Sequence, residues 1–216
     1  AVQRESKAAR DSAGILDAST LGKIDIQGTD ASEFLNRVYT NAWSKLEIGK
    51  CRYGLMLNED GMVYDDGVTT RLDENHYIMT TTTGGAATVL GKLEDYLQTE
   101  WPELDVYLTS VTDHYATISV CGPNSKKIIQ KVIPEIDLSD KDFPHMSFKN
   151  SKIGKVKCRV MRISFTGEQS YEINIQANYA KSVWENCMEA GKEFNITPYG
   201  TETMHLLRAE KGFIIA

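Results

Sequence analysis

A pair of strand-like segments joined by a short loop is the feature that most restricts the fold. Residues 51–57 read C-R-Y-G-L-M-L and residues 62–71 read M-V-Y-D-D-G-V-T-T-R, with N-E-D-G between them. Both segments contain the aromatic and β-branched residues that favour strands. Four loop residues ending in glycine form a common hairpin connection. The pattern therefore predicts an antiparallel hairpin, so the fold must contain at least one antiparallel sheet.

Strands and helices alternate along the rest of the chain. Helical periodicity is present at residues 29–41 and again at residues 86–98, and a last helix is predicted at residues 201–211. A second hairpin is predicted where K-C-R-V-M-R-I-S-F and Y-E-I-N-I flank T-G-E-Q-S. We therefore predict an α+β fold with antiparallel sheets and packed helices. The elements divide into two similar lobes, residues 1–111 and residues 112–216.

Composition and motifs exclude several classes of protein. The net charge of −6 argues against a nucleic-acid binder. The chain contains no run of about 18 apolar residues, so no membrane-spanning helix is predicted. The first ten residues lack the apolar segment of a signal peptide. The four cysteines form no C-x-x-C pair, and the four histidines show no metal-ligand spacing. We expect a cytoplasmic protein with reduced thiols that binds no metal, nucleic acid or membrane.

Two adjacent carboxylates, Asp65 and Asp66, interrupt the second strand of the predicted hairpin. Side chains alternate between the faces of a strand, so the two cannot act as a pair. If residues 58–61 form the loop, Tyr53 lies opposite Asp66, on the more apolar face. A carboxylate there is a candidate acid or base with a raised pKa. The alternative is that Asp66 only bonds a neighbouring backbone group and that Asp65 is solvated. Gly67 is expected where backbone or ligand comes close.

Spacing alone assigns no function to the acidic and basic residues of the second half. Glu172 alternates with Tyr171 and Ile173 and is therefore expected to face solvent. Glu168, in the turn before that strand, is expected to be still more exposed. Arg208 lies at the edge of the buried stripe of the last helix, where its aliphatic stem could cover apolar surface.

Three motifs together resemble the folate-binding aminomethyltransferase family. Residues 52–69 resemble its Y-x-x-x-L-x-x-x-G-G-x-x-D-D segment, F-T-G-E-Q-S-Y-E resembles its Y-T-G-E-x-G-x-E, and L-L-R-A-E-K-G resembles its L-R-x-E-x-G. The family includes the glycine-cleavage T protein and parts of sarcosine and dimethylglycine dehydrogenases and oxidases. Segments such as F-L-N-R-V-Y-T-N-A-W and Y-G-T-E-T-M-H-L-L-R-A-E-K-G are similar to the alpha subunits of bacterial heterotetrameric sarcosine oxidases.

The resemblance implies a set of site residues. Asp66 corresponds to the catalytic aspartate, and the residues that correspond to folate-binding positions are Tyr53, Thr83, Phe165, Glu172 and Arg208. Three positions depart from the pattern of the T protein. The T protein has tyrosine at the position of Phe165 and Asn-Ala at the position of Thr83-Gly84. It commonly has leucine at the position of Gly67. These departures argue against T-protein activity itself but not against folate binding.

The resemblance also implies the reaction and the molecules that take part. In the whole complex, tetrahydrofolate would capture the imine from flavin-dependent sarcosine oxidation, giving 5,10-methylenetetrahydrofolate, glycine and hydrogen peroxide. FAD, FMN and NAD are expected elsewhere in that complex, which would include beta, gamma and delta subunits. The chain would be a fragment, with a dinucleotide-binding region before it and a small barrel after it, and inactive alone. The alternatives are a dimethylglycine or sarcosine dehydrogenase, a T-protein-like aminomethyltransferase, or a non-catalytic module that docks another subunit.

Overall fold

Two compact units make up the chain in the computed structural model, which describes residues 1–216. The inserted unit contains residues 20–113 with residues 215–216, and the terminal unit contains residues 1–19 with residues 114–214. The main difference from the predicted lobes is that residues 1–19 belong to the terminal unit, and residues 112–113 and 215–216 belong to the inserted unit. The reason is that the first strand, Gly14–Asp17, pairs with Tyr115–Cys121 rather than with its neighbours along the chain.

The inserted unit is a five-stranded antiparallel sheet with two helices. Its strands follow the order β3-β4-β5-β2-β6 across the sheet. Side chains from α2, α3 and the sheet bury Phe34, Trp43, Met56, Tyr77 and Leu93 in one core. The elements of this unit are β2 (Gly22–Gln27), α2 (Ala31–Val38), β3 (Cys51–Leu57), β4 (Val63–Asp73), β5 (His76–Thr81), α3 (Ala86–Asp95) and β6 (Tyr107–Ser110).

The terminal unit is a six-stranded sheet in the order β11-β1-β7-β10-β9-β8, with four helices. All neighbouring strands are antiparallel except β1 and β11, which are parallel. Its elements are α1 (Val2–Asp11), β1 (Gly14–Asp17), β7 (Tyr115–Cys121), α4 (Ser125–Val132), β8 (Ser147–Ile153), β9 (Val156–Arg162), β10 (Ser170–Gln176), α5 (Ala180–Gly191), β11 (Thr197–Pro198) and α6 (Thr201–Glu210). The predicted α+β class with antiparallel sheets is confirmed.

Strand alternation explains the main core of the terminal unit. Alternate residues of β10, Tyr171, Ile173 and Ile175, are buried on the face that packs against α4 and α5. All four cysteines of the chain are buried, and none forms a disulfide. None of the helices is both long enough and apolar enough to cross a membrane.

The β3–β4 hairpin forms as predicted, but its predicted register is wrong. Leu57 pairs with Val63, so the loop is one residue longer than N-E-D-G, and a bulge follows between Met56 and Leu57. The two irregularities together shift the pairing by two residues. Tyr53 therefore lies opposite Val68, and Leu55 lies opposite Asp66. From the Met56–Asp65 pair onward the shift is two residues, which leaves Tyr53 and Asp66 on their predicted face because side chains alternate with a period of two.

Gly67 lies where two backbones come close. A Cβ atom at this position would overlap with the carbonyl oxygen of Thr80 on β5. The adjacent amide, Val68 N–H, donates to Thr80 Oγ1 at 2.9 Å, which ties the two strands together at this point. The expectation of a close backbone approach at Gly67 is confirmed.

Candidate active site around Asp65 and Asp66

Two donors hold the carboxylate of Asp66. Tyr53 Oη donates to Asp66 Oδ2 at 2.8 Å, and the amide of Ala216 donates to Asp66 Oδ1 at 3.2 Å. Tyr53 reaches Asp66 diagonally, because the two residues share a face two positions apart in the register. Burial, and then the hydrogen bond to Asp66, raise the pKa of Tyr53 well above its ordinary value. The phenol therefore stays protonated and keeps donating, which fixes the orientation of the carboxylate.

Asp65, not Asp66, is the more deeply buried carboxylate, which corrects the predicted environment of the pair. Asp65 is 1% exposed and Asp66 is 8% exposed. The face of Asp65 is the one that packs on the core, since its strand partner Met56 is a core residue. The apolar residues that favoured the other face were misleading, because Met62 and Tyr64 are exposed at the tip of the hairpin.

The carboxylate of Asp65 anchors the turn that leads into α3. Thr82 donates to it from Oγ1 at 2.6 Å and from its amide at 3.3 Å, and Gly85 N–H donates to Thr82 Oγ1 at 3.0 Å. Thr83, the next residue in this turn, is exposed, with its hydroxyl 3.1 Å from that of Thr20. Asp65 is therefore not solvated as expected, and it holds in place the turn that contains Thr83.

Burial changes the titration of the groups around Asp65. Burial raises the pKa of Asp65 from 3.8 to about 6, the hydrogen bonds from Thr82 oppose the rise, and the charge of Asp66 adds to it. The buried hydroxyl of Tyr39 has no hydrogen-bond partner. Burial, and then the charges of the two aspartates, raise the pKa of Tyr39 far above its ordinary value. The surroundings of Asp65 thus favour its protonated form.

Asp65→Asn is expected to change how stability depends on pH. The raised pKa means that the folded chain binds this proton more tightly than the unfolded chain, so the contribution of Asp65 to stability is lost as the pH rises from 4 to above 6. Asparagine resembles the protonated carboxyl group. Relative to the parent chain, the variant should therefore gain up to about 3 kcal/mol in free energy of unfolding between pH 4 and pH 8.

Urea unfolding at pH 4, 6 and 8 measures this difference. The matched control is Asp73→Asn, which removes an exposed carboxylate from the same strand. The control should give the same difference from the parent chain at all three pH values. If the difference for Asp65→Asn were also independent of pH, Asp65 would have an ordinary pKa.

Three of the predicted site residues, Phe165, Glu172 and Arg208, belong to the terminal unit. Glu172 is half-buried rather than solvated, and Asn174 on the same face of β10 is 4% exposed. Phe165 is half-buried in the segment between β9 and β10. Arg208 Nη1 donates to the carbonyl oxygen of Phe213 at 2.9 Å, whereas its buried Nε has no hydrogen-bond partner.

Glu168 is held in an ion pair, so its predicted exposure is wrong. Arg10 Nη1 donates to Glu168 Oε1 at 2.8 Å, and both side chains are 21% exposed. Arg10 also donates to the carbonyl oxygens of Thr166 and Leu207 and to the carboxylate of Glu210. These contacts fasten the T-G-E turn to α1 and α6. Only the folded chain reveals them, because Arg10 lies far from its partners along the sequence.

The chain contains no group of three or more histidine, cysteine, aspartate or glutamate side chains that could hold a metal ion.

Comparison with known proteins identifies the family. The family model for the GCVT N-terminal domain matches residues 1–216. The chain belongs to this family. The predicted resemblance to aminomethyltransferases is confirmed.

Among curated proteins, this GCVT N-terminal domain is similar to sarcosine oxidase alpha subunits. It is 58% identical to the subunit of Corynebacterium sp. (strain U-96), across 100% of the chain and 22% of that protein. It is 50% identical to the subunit of Rhizobium meliloti (strain 1021), across 99% of the chain and 22% of that protein. An aminomethyltransferase of Thermoanaerobacter sp. (strain X514) is 32% identical, across 96% of the chain and 55% of that protein. The chain thus spans about a fifth of the length of the sarcosine oxidase subunits.

Solved structures share the fold of the GCVT N-terminal domain. Aminomethyltransferase T of the glycine cleavage system from Bartonella henselae superposes with a TM-score of 0.83 at 22% identity, covering 99% of this chain and 55% of that one. A chain of heterotetrameric sarcosine oxidase from Corynebacterium sp. U-96, in complex with pyrrole 2-carboxylate, gives a TM-score of 0.62 at 13% identity. That match covers 89% of this chain and 92% of that one.

Proposed function

We propose that this domain is the tetrahydrofolate-binding region of a sarcosine oxidase alpha subunit, in which Asp66 takes part in capturing the imine formed from sarcosine. The observation that carries the proposal is the hydrogen-bonded pair of Tyr53 and Asp66, which holds one carboxylate in a fixed orientation. The sequence identity is 50–58% with sarcosine oxidase alpha subunits and 30–33% with aminomethyltransferases. This difference supports a role in a sarcosine oxidase complex over a role as an aminomethyltransferase.

The polar groups of the chain fit a reduced folate. A pterin ring offers amino and ring N–H donors, and an ionised carboxylate is purely an acceptor. Glu172 supplies such a carboxylate on the half-buried face of β10. Arg208 supplies a buried N–H donor that no protein group satisfies, and buried donors are almost always paired in complete sites. We assign Glu172 and Arg208 to contacts with the pterin, and Tyr53, Thr83 and Phe165 to further contacts with the folate.

Asp66 would act as the general acid–base group. Bound tetrahydrofolate would supply the amine nitrogens that accept the one-carbon unit. Asp66 would hold near that amine the proton released during bond formation, and its charge would stabilise the iminium cation. Tyr53, kept protonated, would hold Oδ2 in place throughout. Asp65 would act indirectly, by holding the turn that presents Thr83.

The complete reaction would need groups that other parts of the complex supply. Flavin-dependent oxidation of sarcosine, with FAD, FMN and NAD in the complex, would yield the imine and hydrogen peroxide. The beta, gamma and delta subunits would be the protein partners. Capture of the imine by this domain would give 5,10-methylenetetrahydrofolate and glycine, and would keep the imine from hydrolysing to formaldehyde. A cytoplasmic location is part of the same proposal.

Titration calorimetry with tetrahydrofolate on the purified protein tests the proposal. Binding is expected, and Glu172→Gln should weaken it by about tenfold or more, because a charge-assisted hydrogen bond is replaced by a weaker one. The control is Glu185→Gln, on the exposed surface of α5, which should bind as the parent does. Absence of binding in the parent protein would favour a non-catalytic docking module instead.

A further inference from the structure

A polar groove lies on the terminal unit, and most of the strand residues that line it face away from the main core. Its volume is about 610 Å³, which lies within the range of about 300–1,000 Å³ that small-molecule sites occupy. It includes none of the residues assigned above to folate. Its lining residues come mainly from β7, β8, β9 and β10, and they are Tyr115, Glu135, Asn150, Ser151, Lys152, Lys157, Cys158, Arg159 and Asn174.

The register of the β8–β9 hairpin concentrates positive charge in this groove. Lys152 lies directly opposite Lys157, and Asn150 lies directly opposite Arg159. Because side chains alternate along each strand, these four side chains share one face. On the neighbouring strand, Asn174 lies opposite Arg159 and extends the same face. The result is a patch of three cationic side chains bordered by two amides.

This arrangement has an electrostatic cost. Like charges directly opposite each other across two strands are destabilising. Neither Lys152 nor Lys157 forms an ion pair with a carboxylate. Glu135 is the one carboxylate in the lining, so the groove carries a positive charge in a chain whose net charge is −6. A bound anion would offset the repulsion.

Protection of the sheet edge does not account for these charges. Lysines commonly guard an exposed edge strand against pairing with other chains, and β8 is an edge strand. That explanation covers Lys152. It does not cover Arg159, which is paired with β8 on one side and with β10 on the other.

We propose that the groove binds a multivalent anion. One carboxylate or phosphate group would bridge Lys152 and Lys157, and a second would contact Arg159. The Cζ atom of Arg159 lies 5.7 Å from the centroid of the Phe148 ring, and this contact limits the movement of the guanidinium group. A planar guanidinium group suits a two-oxygen anion. The amides of Asn150 and Asn174 would donate to the remaining oxygens. Polycarboxylates and polyphosphates share this chemistry.

Calorimetric titration of the full chain with tripolyphosphate and, separately, with citrate tests the proposal. Binding in the first arm alone would assign a phosphate ligand, and binding in the second alone a carboxylate ligand. Lys152→Gln and Lys157→Gln should each weaken binding by about tenfold, as expected for loss of a charge-assisted hydrogen bond. Without anion, the urea midpoints of both variants should equal or exceed that of the parent, since each substitution removes a repulsion.

The control is Lys155→Gln. Lys155 is in the turn of the same hairpin but does not line the groove. Its substitution removes one positive charge, as each of the two groove substitutions does. It should weaken binding by less than about threefold, through screened long-range attraction alone. The proposal is overturned if neither anion binds, or if Lys155→Gln weakens binding as much as the two groove variants do.

Discussion

Asp66→Asn is expected to lower the ratio of 5,10-methylenetetrahydrofolate to formaldehyde formed during sarcosine oxidation by about 100-fold, the lower end of what a positioned general base contributes. Asparagine has nearly the same size as aspartate and can still accept the hydrogen bond that Tyr53 donates at 2.8 Å. It cannot take up a proton and carries no charge to stabilise a cation. The substitution therefore removes the proposed chemistry and keeps the local packing.

The two products can be assayed together in the intact complex supplied with tetrahydrofolate. Asp60→Asn is the matched control, since Asp60 is an exposed carboxylate in the loop of the same hairpin. Tyr53→Phe should lower the ratio by about tenfold, because it removes one hydrogen bond to the carboxylate but leaves the carboxylate itself. An unchanged ratio in Asp66→Asn would exclude Asp66 as the catalytic group.

Gly67→Ala is expected to cost about 4 kcal/mol of stability, because the added methyl group can be accommodated only if β4 and β5 move apart. The Cβ atom would overlap with the carbonyl oxygen of Thr80, which is backbone and cannot rotate away. Separation of the strands would also break the bond from Val68 N–H to Thr80 Oγ1. Both losses fall on the strand that carries the two aspartates.

Urea unfolding followed by circular dichroism measures the loss in Gly67→Ala. Gly91→Ala is the matched control, because Gly91 lies within α3 and a Cβ there has no atom within 4 Å. That substitution should raise stability by about 0.5–1 kcal/mol, the difference in helix propensity between the two residues. Equal midpoints for Gly67→Ala and the parent chain would mean that the strands separate at little cost.

The sequence predicted the partnership of Tyr53 and Asp66 through a register that was itself wrong. The prediction needed only that both side chains share a face, and a slip of two residues preserves faces. The extra loop residue and the bulge after Met56 could not be predicted from the sequence. Neither irregularity has a distinctive sequence pattern, because the loop already ends in a glycine and Tyr64, the residue that the pairing skips, is a common strand residue.

Burial of Asp65 was not predictable from its own strand. It depends on which face meets the core, and the core of this unit includes Trp43, which precedes the hairpin in the sequence. The ion pair of Arg10 and Glu168 was missed for the same kind of reason, since its two members meet only in the folded chain. Local patterns predicted the elements well, whereas contacts between distant segments decided which polar groups are buried.

The position of β1 in the terminal sheet sets an order of events during synthesis of the chain. Gly14 pairs with Cys121 and with Thr197, so β1 leaves the ribosome long before either partner exists. Because synthesis proceeds at about 5–20 residues per second, the apolar side chains of β1 stay exposed for several seconds. Residues 20–113 are contiguous and can form their own core in that interval. The terminal unit must then close a loop around an already folded segment, which makes its assembly the slower step.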